Sequence, residues 1–370
     1  MESGYRKFDP VRGMEYLLYI LVDDLMSGSK VVKFMQVLKP LNRLEPINAP
    51  HVTEDAVITL VVPIFVDDSD DPETVGVSFL DQVTGLLKAG DRLKLWLLLV
   101  YPTTTTAVDP FMKLKSKVAD AETKYPGRLA WLSVQTNRKS SLNLFEAVVR
   151  SRQKQGQQKD DDWLVLMLPP ESLLSREFLN RVRLMAIKRY QVYFPIAFSQ
   201  YHPSLIPEPL LLNIINHVTT PVPGSPSSAD SAASIELTAR HGHFDQYDFD
   251  TAAFYLSDYS ECRRIVNERD SQEGDGASKR VMVDVADVFL ACTQLHVFRA
   301  VDPGLKRRYR QSLESCEMSA GNDVGVEVCR ARLEIGLGHR KHMAAKISEH
   351  VQSTEKEAEA QQPGDESDKV

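Results

Sequence analysis

Val57-Ile58-Thr59-Leu60-Val61-Val62-Pro63-Ile64-Phe65-Val66 is an apolar run of strand length, rich in β-branched side chains. A run without polar alternation fits a strand buried on both faces, as in a parallel sheet whose crossover helices cover each side. The pattern recurs. Strands are predicted over 57–66, 93–101, 129–134, 163–168 and 191–198, with amphipathic helices between them over 78–88, 111–125, 142–153 and 175–187. In the last helix Phe178, Leu179, Val182 and Met185 recur at helical spacing behind Ser175, a residue type suited to an N-cap. Pro126-Gly127 and Ala89-Gly90-Asp91 punctuate helix ends. This alternation predicts an α/β domain with a mostly parallel central sheet flanked by helices.

Beyond residue 198 the pattern loosens. Residues 219–234 are rich in Pro, Ser and Ala, residues 268–279 are polar, and both stretches are expected to be mobile loops. Phe254-Tyr255-Leu256 is a short strand candidate, and helices are expected over 283–295 and 324–337. Residues 351–370 read as a disordered acidic tail. At the other end, 8–24 place Met14, Leu17, Leu18 and Leu21 on one helical face, and 31–38 alternate as a strand does. Residues 1–50 are therefore expected to be a connector packed on a main domain over 51–350, since fifty residues make a marginal core alone.

The chain has 370 residues, 43% of them hydrophobic, which excludes disorder throughout and supplies a large core. Its net charge of −7 lacks the basic surplus of a nucleic-acid binder, so no nucleic-acid partner is expected. No apolar run approaches the roughly 20 residues that cross a bilayer, and Met1-Glu2-Ser3-Gly4-Tyr5-Arg6-Lys7 has no apolar signal-peptide region. Taken alone the chain reads as cytosolic or as a fragment. Its four cysteines are too scattered for a disulfide scaffold or a zinc site.

The sequence contains no GxGxxG after the first strand, no P-loop, no GxSxG and no HExxH. In an open parallel sheet ligands bind at the carboxyl ends of strands. Those ends offer Asp67-Asp68-Ser69-Asp70-Asp71, Pro169-Pro170-Glu171 and Ser199-Gln200-Tyr201-His202. The aspartates suit either an oxygen-ligated cation or plain solvation, and His202 either a general base or a surface loop.

Three longer segments, Phe8-Asp9-Pro10-Val11-Arg12-Gly13-Met14-Glu15-Tyr16, Tyr193-Phe194-Pro195-Ile196-Ala197-Phe198-Ser199-Gln200-Tyr201 and Leu295-His296-Val297-Phe298-Arg299-Ala300-Val301-Asp302-Pro303-Gly304, resemble the C-terminal half of the chondroitin synthase family. Shorter motifs follow in register: Trp131-Leu132-Ser133-Val134-Gln135-Thr136, Glu177-Phe178-Leu179-Asn180-Arg181, Gly242-His243-Phe244-Asp245 and Gly336-Leu337-Gly338. The resemblance runs from Phe8 to Ile347. It implies a GT-A-like glycosyltransferase fold from the N-acetylgalactosaminyltransferase half of Golgi enzymes that build the chondroitin backbone. It also implies a UDP-GalNAc donor, a Mn²⁺ or other divalent cation, the nascent chondroitin chain as acceptor and a hetero-complex with a chondroitin synthase. The family's Golgi-lumen placement as type II membrane proteins depends on an N-terminal half, with its anchor, that is missing from this chain.

Departures from the family pattern bear on mechanism. Where active relatives carry an acidic-x-acidic triplet for the metal, this chain has Pro169-Pro170-Glu171, leaving Glu171 as the candidate metal ligand. The Trp-Gly-x-Glu-Asp segment that carries the general base corresponds to Val281-Met282-Val283-Asp284-Val285-Ala286-Asp287-Val288-Phe289, so Asp284 and Asp287 are the catalytic candidates. A metal-binding histidine corresponds to Lys306-Arg307-Arg308-Tyr309, where Arg307 repels a metal but offers a guanidinium to phosphate. Asp248-Phe249-Asp250 stands where the family's acceptor loop has Gly-Phe-Gly. Cys316 and Cys329 lie near family cysteines and suit either a disulfide or two buried thiols. The reading is a family subunit with degraded metal and base motifs that acts beside an active synthase. The alternative is an active UDP-GalNAc-dependent β-1,4-N-acetylgalactosaminyltransferase with a rearranged metal site.

Overall fold

A computed structural model describes residues 3–24, 28–40, 52, 55–66, 72–103, 109–136, 140–154, 162–202, 237–272 and 282–309, with positions 334–336, 338, 344 and 347–348. The expectations for Asp67 to Asp71, residues 219–234 and 351–370, Cys316 and Cys329 fall outside these residues. The chain divides into two compact units, Met1–Ala49 and Pro50–Val370.

The first unit is an antiparallel sheet of β1 (Ser3–Asp9), β2 (Gly13–Asp23) and β3 (Lys30–Pro40), in the order β1-β2-β3. The helix expected over 8–24 is overturned. Met14, Tyr16, Leu18, Ile20 and Val22 alternate at period two through β2, and the aromatic and β-branched residues among them favour the pleated backbone. The spacing of Met14, Leu17, Leu18 and Leu21 satisfied a helical template as well, because both strand faces are apolar. Between β1 and β2 the Asp9 carboxylate accepts the N–H groups of Val11 (2.9 Å) and Arg12 (3.1 Å), and Gly13 takes φ 116°.

The second unit carries β4 (Ile58–Phe65), α1 (Pro72–Lys88), β5 (Leu93–Tyr101), α2 (Met112–Lys124), β6 (Leu129–Gln135), α3 (Ser141–Lys154) and β7 (Leu164–Met167). It continues with β8 (Ser172–Leu173), α4 (Arg176–Met185), β9 (Gln191–Gln200), β10 (Gly242–Phe244), β11 (Ala252–Tyr255), α5 (Leu256–Gln272), α6 (Val285–Ala291) and β12 (His296–Arg307). The order across the sheet is β6-β5-β4-β7-β11-β9-β12-β8, with β10 on β9. Strands β4, β5, β6, β7, β9 and β12 run one way, while β8, β10 and β11 oppose them. The α/β class with a mostly parallel sheet is therefore observed.

Each face of the sheet is sealed by helices. Phe79 and Val83 of α1, Leu114 and Val118 of α2, and Phe178 and Val182 of α4 pack on one face. Phe145 and Val148 of α3, Tyr259 of α5, and Val288 and Phe289 of α6 pack on the other. Each fully buried Phe or Leu contributes on the order of 2 kcal/mol. Ser175 does cap α4, its hydroxyl accepting the Phe178 N–H at 3.1 Å. Among the boundaries that differ from the sequence reading, α1 begins at Pro72, residues 268–272 of the expected loop belong to α5, the short strand spans Ala252–Tyr255, and the helix expected over 283–295 spans Val285–Ala291. Of the helix expected over 324–337, positions 334–336 are described and are helical. Strand β12 was not anticipated, because Asp302-Pro303-Gly304 in its middle reads as a turn.

Cys262 of α5 is bonded to Cys292, the residue that ends α6, and both are buried. Closing a loop of that length removes about 3–4 kcal/mol of entropy from the unfolded chain. Reduction, or the paired change Cys262→Ser with Cys292→Ser, is expected to lower the unfolding free energy by about 3 kcal/mol. Urea unfolding of the wild type and of the serine variant checks this.

Candidate functional site

Because both sheet faces are sealed, polar side chains collect at the carboxyl ends of the parallel strands. Pro169-Pro170-Glu171 follows β7 as a turn, in which the Ser172 N–H donates to the Pro169 carbonyl at 3.1 Å. It leads into β8, at the far end of the strand order, where Gln82 of α1 pins the chain through the Ser172 carbonyl (3.1 Å) and the Leu174 N–H (2.6 Å). Strand β8 pairs antiparallel with the end of β12, placing Ser172 opposite Arg307, and the Arg308 N–H donates to the Glu171 carbonyl at 3.1 Å. Thus Glu171 and Arg307, far apart in sequence, become neighbours.

Register extends this pair into a polar row. Arg307 is level with Ser172 on one side and Ser199 of β9 on the other, and Ser199 is level with His243 of β10. Partners in register project to the same face. The next rung, Leu173, Lys306, Phe198 and Phe244, faces the other way and includes a small apolar cluster of Leu173, Phe198 and Phe244. The hydroxyls of Ser172 and Ser199 are buried and make no hydrogen bond among the described residues. The rings of His243 and Tyr201 stack at 5.3 Å.

Arg307 is buried, and its guanidinium lies 2.5 Å from the Asp248 carboxylate and 3.8 Å from that of Asp250, while it donates to the Thr251 hydroxyl at 3.0 Å. Asp248 and Thr251 are themselves buried. Both precede β11, whose opposite direction brings its start to this same edge. Burial pushes Lys306 and Arg308 below their ordinary values, and the Arg308 side chain turns to the Ser78 hydroxyl at 3.3 Å. His202 closes β9 with its ring edge-on to Tyr309 and its N–H on the Gly336 carbonyl.

Asp284 and Asp287 sit at the start of α6 and hold that start in place. The Asp287 carboxylate accepts the N–H groups of Val283 and Asp284, both at 2.9 Å. Asp284 accepts the Ser141 hydroxyl at 3.0 Å, and that hydroxyl in turn accepts the Val285 N–H. The neighbouring Ser140 hydroxyl donates to the Val283 carbonyl and accepts the Asn143 N–H, so the starts of α3 and α6 are stitched together. The structure thus assembles the sequence candidates as two pairs, Glu171 with Arg307 and Asp284 with Asp287.

A divalent cation requires several oxygen donors turned to one point. Among the described residues no group of three or more His, Cys, Asp and Glu is placed to hold one, and Arg307 is paired with Asp248. The described donors do not fit a divalent cation. They form instead a fixed cation flanked by hydroxyls. Sequence reading singled out Arg307, noted Asp248-Phe249-Asp250 as a departure and quoted His243 only within a family motif, but it missed Ser172, joined to the site by strand register, and Thr251, joined to Arg307 by a hydrogen bond.

A family model described as chondroitin N-acetylgalactosaminyltransferase matches residues 1–343. Mouse chondroitin sulfate synthase 2 is 33% identical over 359 residues, covering 95% of this chain and 42% of that protein. Human chondroitin sulfate glucuronyltransferase is 32% identical over 366 residues, covering 95% and 44%. The chain spans less than half the length of these relatives. A nucleoside-diphosphate-sugar pyrophosphorylase structure from Vibrio cholerae aligns at 11% identity with a TM-score of 0.34, over 66% of this chain and 93% of that one.

Removing one partner of a buried ion pair strands the other, at a cost of about 3–5 kcal/mol. Arg307→Ala is expected to destabilise the protein by that order, and adding Asp248→Asn should recover most of the loss. Chemical unfolding of the two single variants and the double variant gives the coupling directly.

Proposed function

Because the chain belongs to the chondroitin N-acetylgalactosaminyltransferase family, matched over residues 1–343, we propose that it serves chondroitin chain polymerisation in the Golgi lumen as a subunit with degraded metal and base positions. In this reading it acts in a hetero-complex with an active chondroitin synthase and presents a glycosyltransferase surface to the nascent chain. The observation that carries it is the Arg307 guanidinium, 2.5 Å from the buried Asp248 carboxylate at the strand ends where a transferase would hold its cation. A positive side chain fixed there opposes a Mn²⁺ ion, and the neighbouring acid is already neutralised.

The base positions support the same reading. General-base catalysis needs a carboxylate within reach of the acceptor hydroxyl and able to take its proton. Asp287 directs its carboxylate to two backbone N–H groups, and Asp284 accepts a serine hydroxyl. In this reading both acids cap a helix.

The alternative, an active UDP-GalNAc-dependent β-1,4-N-acetylgalactosaminyltransferase with a rearranged site, draws on one feature. The Asp250 side chain is about half exposed and lies 3.8 Å from the Arg307 guanidinium, so the strand-end site carries a second acid beside solvent.

Calorimetry of UDP-GalNAc binding separates the two. We expect weak binding whose affinity changes less than about threefold between Mn²⁺ and chelator, because an arginine rather than a metal faces the diphosphate. Micromolar binding that collapses on adding chelator overturns the proposal. In a chain-length assay of an anchored form with an active synthase, Glu171→Ala is expected to support elongation as wild type does. A large loss with Glu171→Ala in folded protein shifts the assignment to the catalytic alternative.

A further inference from the structure

Strand β12 is interrupted. It stays in register with β9 from His296 to Val301, then again at Lys306 and Arg307. Between these stretches β12 advances five residues, Val301 to Lys306, while β9 advances two, Ile196 to Phe198, so three residues are extra. Side chains of a strand alternate strictly, and an odd insertion inverts the alternation. Before the bulge Val301 is level with Ile196; an uninterrupted β12 would keep Arg307 on that face, six residues on. After the bulge Arg307 is level with Ser199, which lies on the opposite face from Ile196. That second face is the one on which Thr251 accepts the guanidinium.

The bulge is held by a buried carboxylate. Asp302, 1% exposed, accepts the Arg181 Nε–H on both oxygens (3.1 and 2.9 Å), the Tyr193 hydroxyl at 2.9 Å and the Gly304 N–H at 2.9 Å. Ser175, which caps α4, donates its hydroxyl to the Gly304 carbonyl at 3.1 Å. A Cβ at Gly304 would collide with the Arg181 guanidinium, so the seat accepts glycine alone without rearrangement. Burial first, then the Asp302 charge, push the Tyr193 hydroxyl well above its ordinary value, which keeps it a donor. Helix α4 thereby grips the three extra residues from the core side of the sheet.

We propose that Asp302 is a positioning residue: its bonds to Arg181, Tyr193 and Gly304 fix an odd-length bulge, and that bulge turns Arg307 onto the face of Ser172, Ser199 and His243, where it meets Asp248. The inference concerns how the site is built and holds whatever the site binds. Losing the Asp302 lock lets the bulge relax, and Arg307 leaves its buried carboxylate even where the domain stays folded.

The test is reaction of the full chain with phenylglyoxal, an arginine-specific reagent, followed by mass-spectrometric quantification at Arg307. Asp302→Ala is compared with wild type and with Val118→Ala, a core truncation in α2 remote from the bulge. Arg307 modification in Asp302→Ala is expected to rise about tenfold as local opening exposes it, while Val118→Ala stays near wild type. Equal exposure of Arg307 in both variants overturns the proposal, since stability alone would then explain it. Unchanged protection in folded Asp302→Ala overturns it as well. If Asp302→Ala does not fold, Tyr193→Phe removes one of the bonds and should raise Arg307 modification about twofold to threefold; no rise there sinks the idea. A fall in UDP-GalNAc affinity is not required for any of these outcomes.

Discussion

A sheet buried on both faces leaves a polar side chain one acceptable place, the ends of its strands. Strands β4 and β5 are sealed by helices from both sides, and apart from Thr59 and Lys94 they present apolar groups along their lengths. Burying an unpaired polar group costs kilocalories, so the groups capable of chemistry are displaced to the edges. At the carboxyl edge the segment carrying Glu171, the end of β12 and the start of β11 meet. The site is thus a by-product of how the core excludes polar groups. Its polar row requires no sequence motif, only strands of the right order and register.

That explains what was legible in the sequence. Strands β4, β5, β6, β7 and β9 could be read because their runs are apolar and the helices between them amphipathic, and Ser175 could be read because an N-cap is a local signal, whereas the two-residue β8 has no such run. Strand β2 was misread because a sheet apolar on both faces satisfies helical spacing too. Strand β12 was missed because Asp302-Pro303-Gly304 gives the local signature of a turn, and here that signature marks a bulge. The pairing of Arg307 with Asp248, and of Cys262 with Cys292, connects residues whose spacing follows no rule. Such long-range pairs exist only once the strand order exists.

The buried disulfide also speaks to environment. Cytosolic proteins of ordinary organisms seldom keep structural disulfides, whereas proteins of the secretory route commonly do. Cys262–Cys292 ties α5 to the end of α6, the helix whose start bears Asp284 and Asp287. A cross-link at one end of a short helix and a stitched cap at the other hold it rigid, although seven residues alone are far below the length at which a helix is stable in water. The acids that resemble a base position are thus carried by a helix whose persistence depends on tertiary ties.

An arginine and a divalent cation are not equivalent occupants of a strand-end site. A metal ion brings two charges, exchanges with solvent and reorganises its water shell as a leaving group develops charge. A guanidinium brings one charge, spread over a plane, and cannot leave. Here that single charge is paired with the Asp248 carboxylate at 2.5 Å. An anionic ligand that displaced Asp248 would leave that carboxylate buried and uncompensated, and would carry the penalty of a stranded buried charge.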